Sequence, residues 1–315
     1  MMTGLRLSPR NVSTVLMDVL LGEMAALITS ILWAVSSTLF TFGGKGHSPH
    51  TVNRMRLTGA LIILSIFHLI LFGRLIPDEN LYVWLLLGLS GMVGLAIGDG
   101  FLLWSYGKVG PRISMLVMSM VPIVTGSAGW LLWGEALGLL EILFIVLTLT
   151  GIVVVVAERR EDRSPFRITF GGLALAVGGM LGQAVQLLLA KDAMMFMRSS
   201  SPPMTATLIR ILWGTAAIWI ASMIIRRKTG TVKALSDRRF LIFIGLATII
   251  GPVLGIWASF VALNSVDIGI ASTLMSLSPL MIIPISWKVF GERITPRAVI
   301  GTVIALIGVA GLFLF

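Results

Sequence analysis

No cysteine occurs in the 315 residues, so disulfides, thiolate nucleophiles and thiolate metal sites are excluded together, and the redox compartment is left unmarked. Charge is nearly as scarce: Asp, Glu, Lys and Arg make up 12% of the chain, about half the share of an ordinary soluble domain. Only three histidines are present, none in a His-Glu-x-x-His arrangement, which argues against a metal hydrolase. Acids are rarer than bases, 14 against 24, giving a net charge of +10. The bases sit in short clusters between apolar runs, where they meet anionic lipid headgroups and set topology, so no nucleic-acid partner is expected.

What the chain has in excess is apolar surface, with 57% hydrophobic residues and a mean hydropathy of +0.99. A membrane-spanning helix needs about 20 apolar residues. Ten windows bounded by charge, Gly or Pro fit, at about 22–43, 54–73, 81–105, 112–133, 137–157, 169–190, 204–225, 239–263, 268–288 and 297–315. Inside lipid the backbone must satisfy its own polar groups, and these runs are too long and non-alternating for barrel strands. The expected class is an all-α membrane protein of ten transmembrane helices. The first apolar stretch, Val15 to Phe42, lacks a small-residue cleavage site and exceeds a signal-peptide core, so it reads as a retained span.

Sliding the chain on itself by 157 residues superimposes Gly94 on Gly251, Gly98 on Gly255, Val109 on Val266, Ser119 on Ser276, Pro122 on Pro279, Gly134 on Gly291, Glu135 on Glu292 and Gly151 on Gly308. In so greasy a chain, chance matches of Leu or Val are expected; Gly, Ser, Pro and Glu in one order are not. The sequence therefore predicts a duplication: a first five-helix repeat over 1–157, a charged cytoplasmic linker over 158–167, and a second repeat over 168–315. Eighteen of the 24 Lys and Arg residues fall in the odd-numbered loops, Arg159, Arg160, Arg226 and Arg227 among them. That bias places those loops in the cytoplasm and both termini outside. Five spans per half is an odd number, so the halves enter the bilayer in opposite senses, as inverted repeats with a site near the midplane.

These features together resemble the drug/metabolite transporter superfamily, specifically EamA-type proteins. The resemblance rests on two five-span repeats, on small residues leading to Pro and then Gly-Glu (Ser119, Pro122, Gly134-Glu135; Ser276, Pro279, Gly291-Glu292), and on an Arg early in spans two and seven (Arg56, Arg210). It covers nearly the whole chain and implies a multi-pass carrier of the cell inner membrane, an exporter of amino acids or related metabolites driven by a proton gradient or by exchange. It also implies that the first helix of each half lines the path, which points to Trp33, Ser36, Ser37 and Gln183. Carriers of this kind are drawn with cytoplasmic termini, the reverse of what the charge count predicts.

Asp99, between Gly98 and Gly100 in span three, is costly as an unpaired ion in hydrocarbon and needs a proton, a partner or water. Arg56, with Arg54 beside it, lies at similar depth on span two. The pair reads either as a coupling or amine-binding site or as a structural tie between two helices; the position equivalent to Asp99 is Ile256. Arg210 is the only base well inside a span of the second half and has no acid at matching depth on span eight. It either clamps a substrate carboxylate or phosphate or snorkels to the interface. Ser119 and Ser276 join the substrate-binding set with Arg210, Gln183, Trp33 and Ser37, while the other hydroxyls of spans four and nine, Ser114, Ser272, Thr273 and Ser278, support kinks and packing. Gly94/Gly98 and Gly251/Gly255 allow close helix approach, Glu135 and Glu292 are expected to cap the helices that follow them, His68 to be hydrogen-bonded, and Trp104 and Tyr106 to anchor at headgroups.

Neither the two apposed acids of an intramembrane aspartyl protease nor a rhomboid-like serine is present, and no filter sequence suggests a channel. The activity expected is transport, not catalysis, with no cofactor or metal; a non-transporting membrane adaptor or an intramembrane enzyme is the alternative. The expected partners are a small-molecule substrate and the lipid bilayer, with a homodimer left open.

Overall fold

A computed structural model describes residues 12–44, 46–156, 169–224, 230–278, 280, 281, 284, 285 and 295–314. The expected 158–167 linker, Pro279, Gly291 and Glu292 lie outside the described residues. Among the described residues there are helices and no strands: α1 (Val12–Gly43), α2 (Pro49–Phe72), α3 (Leu81–Gly91), α4 (Asp99–Met118), α5 (Val121–Trp133), α6 (Leu139–Val156), α7 (Phe170–Met195), α8 (Pro202–Ile224), α9 (Thr231–Ser236), α10 (Arg238–Thr248), α11 (Ile256–Ser265), α12 (Ile268–Met275) and α13 (Pro296–Leu314). Two wider π-helical segments, Met92–Gly98 and Ile249–Gly255, join α3 to α4 and α10 to α11. Six runs are long and apolar enough to cross a membrane, Leu16–Phe40, His50–Phe72, Leu81–Leu102, Phe170–Met195, Pro202–Ile224 and Arg238–Ser265, and shorter apolar helices cover Val121–Trp133, Leu139–Val154 and Val299–Leu312.

Local chemistry sets the helix ends. Ser48 accepts the Thr51 amide ahead of α2, with Pro49 in the first turn where a missing N–H costs nothing. Gly73 ends the same helix at φ 68°, a left-handed conformation that favours glycine. Asn80, Thr169 and Asp237 cap α3, α7 and α10 in the same manner as Ser48.

The 157-residue offset carries α3 onto α10, one π segment onto the other, and the start of α6 onto the start of α13. Pro252 interrupts the second π segment while Leu95 holds the same place in the first. The widened turn therefore belongs to the repeated unit and not to proline alone, although proline is a common cause of such a bulge. Equivalent helices α6 and α13 pack antiparallel: Phe144 meets Gly311, Thr148 meets Gly308, and Gly151 meets Gly301 and Ala305. Elsewhere the halves interlock crosswise. α1 packs on the α10–π–α11 rod and α7 on the α3–π–α4 rod, while α2 meets α8 and α5 meets α12.

One boundary departs from expectation. α4 runs unbroken through the loop expected near 106–111 and breaks at Ser119–Met120, whereas the second half breaks at Val266–Asp267 as well as at the counterpart Ser276–Leu277. Asp267 adopts the extended conformation that starts a helix, without a capping bond from its side chain; its counterpart Gly110 lies inside α4. α4 is also held along its length by α7, where Gly179 and Gly182 let the backbones approach, Gly182 to within 3.0 Å of the Gly98 Cα for an added Cβ. Gly182→Ala is expected to lower the apparent melting midpoint in detergent, by about 1–2 kcal/mol of overpacking, whereas Gly245→Ala, with no heavy atom within 4 Å of the new methyl, leaves it unchanged or raised.

Candidate functional site

A cavity of about 630 Å³ opens between the halves. All eight residues singled out from the sequence, Trp33, Ser37, Arg56, Asp99, Ser119, Gln183, Arg210 and Ser276, stand in its wall. Gly94 and Gly98 let α7 come close enough for its amides to enter: a methyl at Gly94 would overlap the Gln186 side chain. At the equivalent places in the other rod, a Cβ on Gly251 would lie 2.6 Å from Ser36 Oγ and one on Gly255 2.9 Å from the Trp33 ring. Ser36 thus corresponds to Gln186, and Trp33 stands where Gly182, next to Gln183, packs on Gly98.

The polar groups form one directed chain. Arg210 Nη2 donates to Gln186 Oε1, Gln186 Nε2 to Gln183 Oε1, and Gln183 Nε2 to Asp99 Oδ1 at 2.9 Å. Asp99 Oδ2 pairs with Arg56 Nη2, Arg56 Nε donates to Asn53 Oδ1 at 2.6 Å, and Asn53 Nδ2 donates to the Leu95 carbonyl in the π segment at 3.1 Å. The amide orientations follow from the ends, because guanidinium can only donate and carboxylate can only accept. Arg56 and Asp99 are therefore an ion pair, at 21% and 18% side-chain exposure. Arg54 turns away from it: its guanidinium lies 4.7 Å over the Trp219 ring and donates to Thr231 Oγ1 at 2.7 Å.

Arg210 does not snorkel. At 2% exposure its guanidinium sits 5.0 Å over the Phe260 ring, with Gln186 as its hydrogen-bonded partner and, among the described residues, no partner at Nε. The neutral amide on α7 was invisible to a search for acids on span eight. Ser276 and Ser278 bond back to the carbonyls of Ser272 and Met275, and Ser105 donates to Ser114 at 2.6 Å, in keeping with packing and kink support. His68 bonds the Arg74 carbonyl at 2.7 Å. Trp104 is exposed, and the Tyr106 side chain lies outside the described residues.

A family model described as the EamA-like transporter family matches residues 20–157 and 170–314. The chain belongs to the EamA-like transporter family. Among curated proteins none matches its sequence. A crystal structure of a protein 15% identical superposes with a TM-score of 0.73 over 92% of this chain and 95% of its own, a likeness in fold alone.

In this EamA-like chain the cavity reaches Gly44 and His47 at one end and stops at Ser272 at the other. There Thr125 and Ser272 hydroxyls meet at 2.7 Å and Gly126 abuts Gly269, drawing α5 onto α12. Beyond this seal Glu135 pairs with Lys191 and accepts the Ile268 amide at 3.0 Å, while Lys191 Nζ donates to the Val266 carbonyl at 3.2 Å. Glu135 thus caps α12 of the opposite half, not α6 as expected from its place in the sequence. Gly134, left-handed at φ 67°, turns the chain there, five residues before α6 begins, and Glu141 accepts the local bond from the Gly138 amide. At the far end His47 Nε2 lies 3.1 Å from Asp237 Oδ2, and its ring packs 4.3 Å from that of Phe240.

The same two ends carry the shifted carboxyls that lie outside the spans. The His47 hydrogen bond, aided by the Phe240 amide, holds Asp237 below its usual value. Burial pushes Asp267 up, with Glu135 adding to the effect and Lys191 opposing it. A carboxyl raised in the folded state costs stability once it ionises in both states, and costs nothing below its unfolded value of about 4. Asp267→Asn is therefore expected to raise the apparent melting midpoint at pH 7, with the gain vanishing near pH 3.5. A gain that persists at pH 3.5 would assign it to something other than charge.

Gln186, Asn53, Ser259 and His47 also line the cavity and were not singled out from the sequence. The spacing Gln183–Gln186, nearly one helical turn on the face that carries Gly179 and Gly182, is the signal that would have found Gln186.

Proposed function

We propose that this protein is a secondary active transporter that moves a small polar metabolite, an amino acid or a related compound, out of the cell through alternating access. Ten spans in two inverted five-helix repeats, 1–157 and 168–315, would sit in the inner membrane with the odd-numbered loops in the cytoplasm. The observation that carries this reading is a cavity walled by helices of both repeats and crossed by a buried ionic chain. Such a chain is expensive in a bilayer and is retained for function. The tie at each end of the bundle, Glu135–Lys191 and His47–Asp237, joins groups from different halves, as opposed gates would require. Arg56 and Asp99 are the proposed coupling pair, by proton gradient or by exchange. Saturable counterflow in proteoliposomes of purified protein tests the carrier reading, and flux that never saturates would sink it. Asp99→Asn is expected to abolish the pH dependence of uptake; an unaltered profile ends the coupling role.

A further inference from the structure

The two walls of the cavity are built on equivalent backbone positions and carry opposite chemistry. Across the 157-residue offset Asp99 faces a counterpart in Ile256 and Leu95 in Pro252, and the glycine contacts match Gln186 with Ser36 and place Trp33 against Gly255 where Gly182, next to Gln183, meets Gly98. One wall is therefore ionic and amide-bearing, and the other carries neither charge nor amide, only the apolar surface of Trp33, Pro252 and Ile256 and the hydroxyls of Ser36 and Ser259. A solute that satisfies both has a charged head and an apolar body.

The sign of the head follows from the donors and acceptors on the polar wall. Both oxygens of Asp99 are engaged, one by Arg56 and one by Gln183, and the amide oxygens of Gln183 and Gln186 are taken by Gln186 and Arg210. An incoming ammonium meets acceptors that each already hold one cationic or amide donor. Donors are in surplus, because a guanidinium carries five N–H groups, and among the described residues the Nε of Arg210 has no partner. The charges lead to the same answer. Arg56 is neutralised by Asp99, whereas among the described residues no carboxylate forms an ion pair with Arg210. Its buried charge touches only a neutral amide and the face of Phe260, and shares with Arg56 the field of the one carboxylate, Asp99. With His47 neutral, the titratable groups of the wall, His47, Arg56, Asp99 and Arg210, sum to one positive charge.

From this we infer that the cavity takes a monocarboxylate with an apolar body and no ammonium group, its carboxylate seated on Arg210 and its body against Trp33, Pro252 and Ile256. This keeps the carrier reading above, on which it rests only for the word substrate, and replaces the amino acid named there with a carboxylate that lacks the ammonium. A buried site built to pair a charge rejects analogues that lack or oppose it, because its own groups are then left unpaired.

The test is binding to the full-length protein in detergent at pH 7, read by thermal shift and by tryptophan fluorescence, with 3-phenylpropanoate, phenylalanine and phenethylamine as a matched anion, zwitterion and cation, and with butanoate and 3-methylbutanoate as smaller anions. At least one monocarboxylate is expected to bind at least about tenfold more tightly than the zwitterion and the cation. Arg210→Gln should remove that preference and Arg210→Lys should keep part of it. A second variant reads the charge sum with the opposite sign: Asp99→Asn leaves two positive charges and should shift preference from butanoate to the dianion succinate. Tighter binding of phenylalanine or phenethylamine, no binding of any monocarboxylate, or an anion preference that survives Arg210→Gln overturns the inference. Anion binding that depends on Arg210 without counterflow in proteoliposomes would sink the carrier reading and leave the inference standing. Counterflow of a zwitterion or a cation would do the reverse.

Discussion

Lys191→Met is expected to cost about 3 kcal/mol, because it strands Glu135 as a lone carboxylate in a site where both partners are nearly buried, at 11% and 12% side-chain exposure. The Ile268 amide would still bond to Glu135, which keeps the loss from the top of the range. The Val266 carbonyl would lose its ammonium donor, and the Trp133 ring would lose the cation that sits 5.9 Å from its centre. Adding Glu135→Gln to Lys191→Met should return most of the stability, since the amide can still accept from Ile268 while no net charge is left buried. Apparent unfolding of the single and double variants in one detergent measures the difference. A single variant as stable as wild type would mean that water reaches Glu135 freely. If this tie is a gate, the double variant should also change the ratio of forward to reverse flux while folding normally, because only the conformation closed at this end loses a contact.

Asp99→Ala is the second large effect. It removes the counter-charge of Arg56 and the acceptor at the end of the amide chain at once, leaving two buried guanidiniums in one cavity with no carboxylate between them. Removing one partner of a fully buried pair costs about 3–5 kcal/mol; with about a fifth of each side chain exposed, roughly 2 kcal/mol is expected after allowing for solvent. Arg56→Gln combined with Asp99→Asn should be milder than either change alone, a coupling that a double-mutant cycle reads directly. Additive single effects would show that the two groups do not depend on each other.

These two pairs show where reading the chain succeeds and where it stops. Arg56 and Asp99 were legible because each is an ion flanked by apolar residues at a similar depth, and an ion in hydrocarbon must find a partner. The duplication was legible because glycine, serine and proline recur in register for backbone reasons that no Leu can imitate. Gln186 and Asn53 were not, since a neutral amide has no obligatory depth and its partners are set by which helices cross. Glu135 was misassigned for a related reason: its position before α6 suggests a local cap, but the turn at Gly134 sends it across the molecule to α12. The break at Ser119–Met120 was also missed, because Gly107, Gly110 and Pro111 look like a loop in isolation, and only the packing of α7 along α4 keeps that stretch helical.

The two π-helical segments carry a lesson about descent. They occupy identical places in the two halves although the residues inside them diverge, Leu95 in one and Pro252 in the other, and although the walls they support have opposite chemistry. The bulge is thus older than either wall: it was present in the half-length ancestor, and the residues around it were rewritten afterwards. Replacing Pro252 with leucine, the residue at the equivalent place in the first half, is then expected to leave the bulge in place.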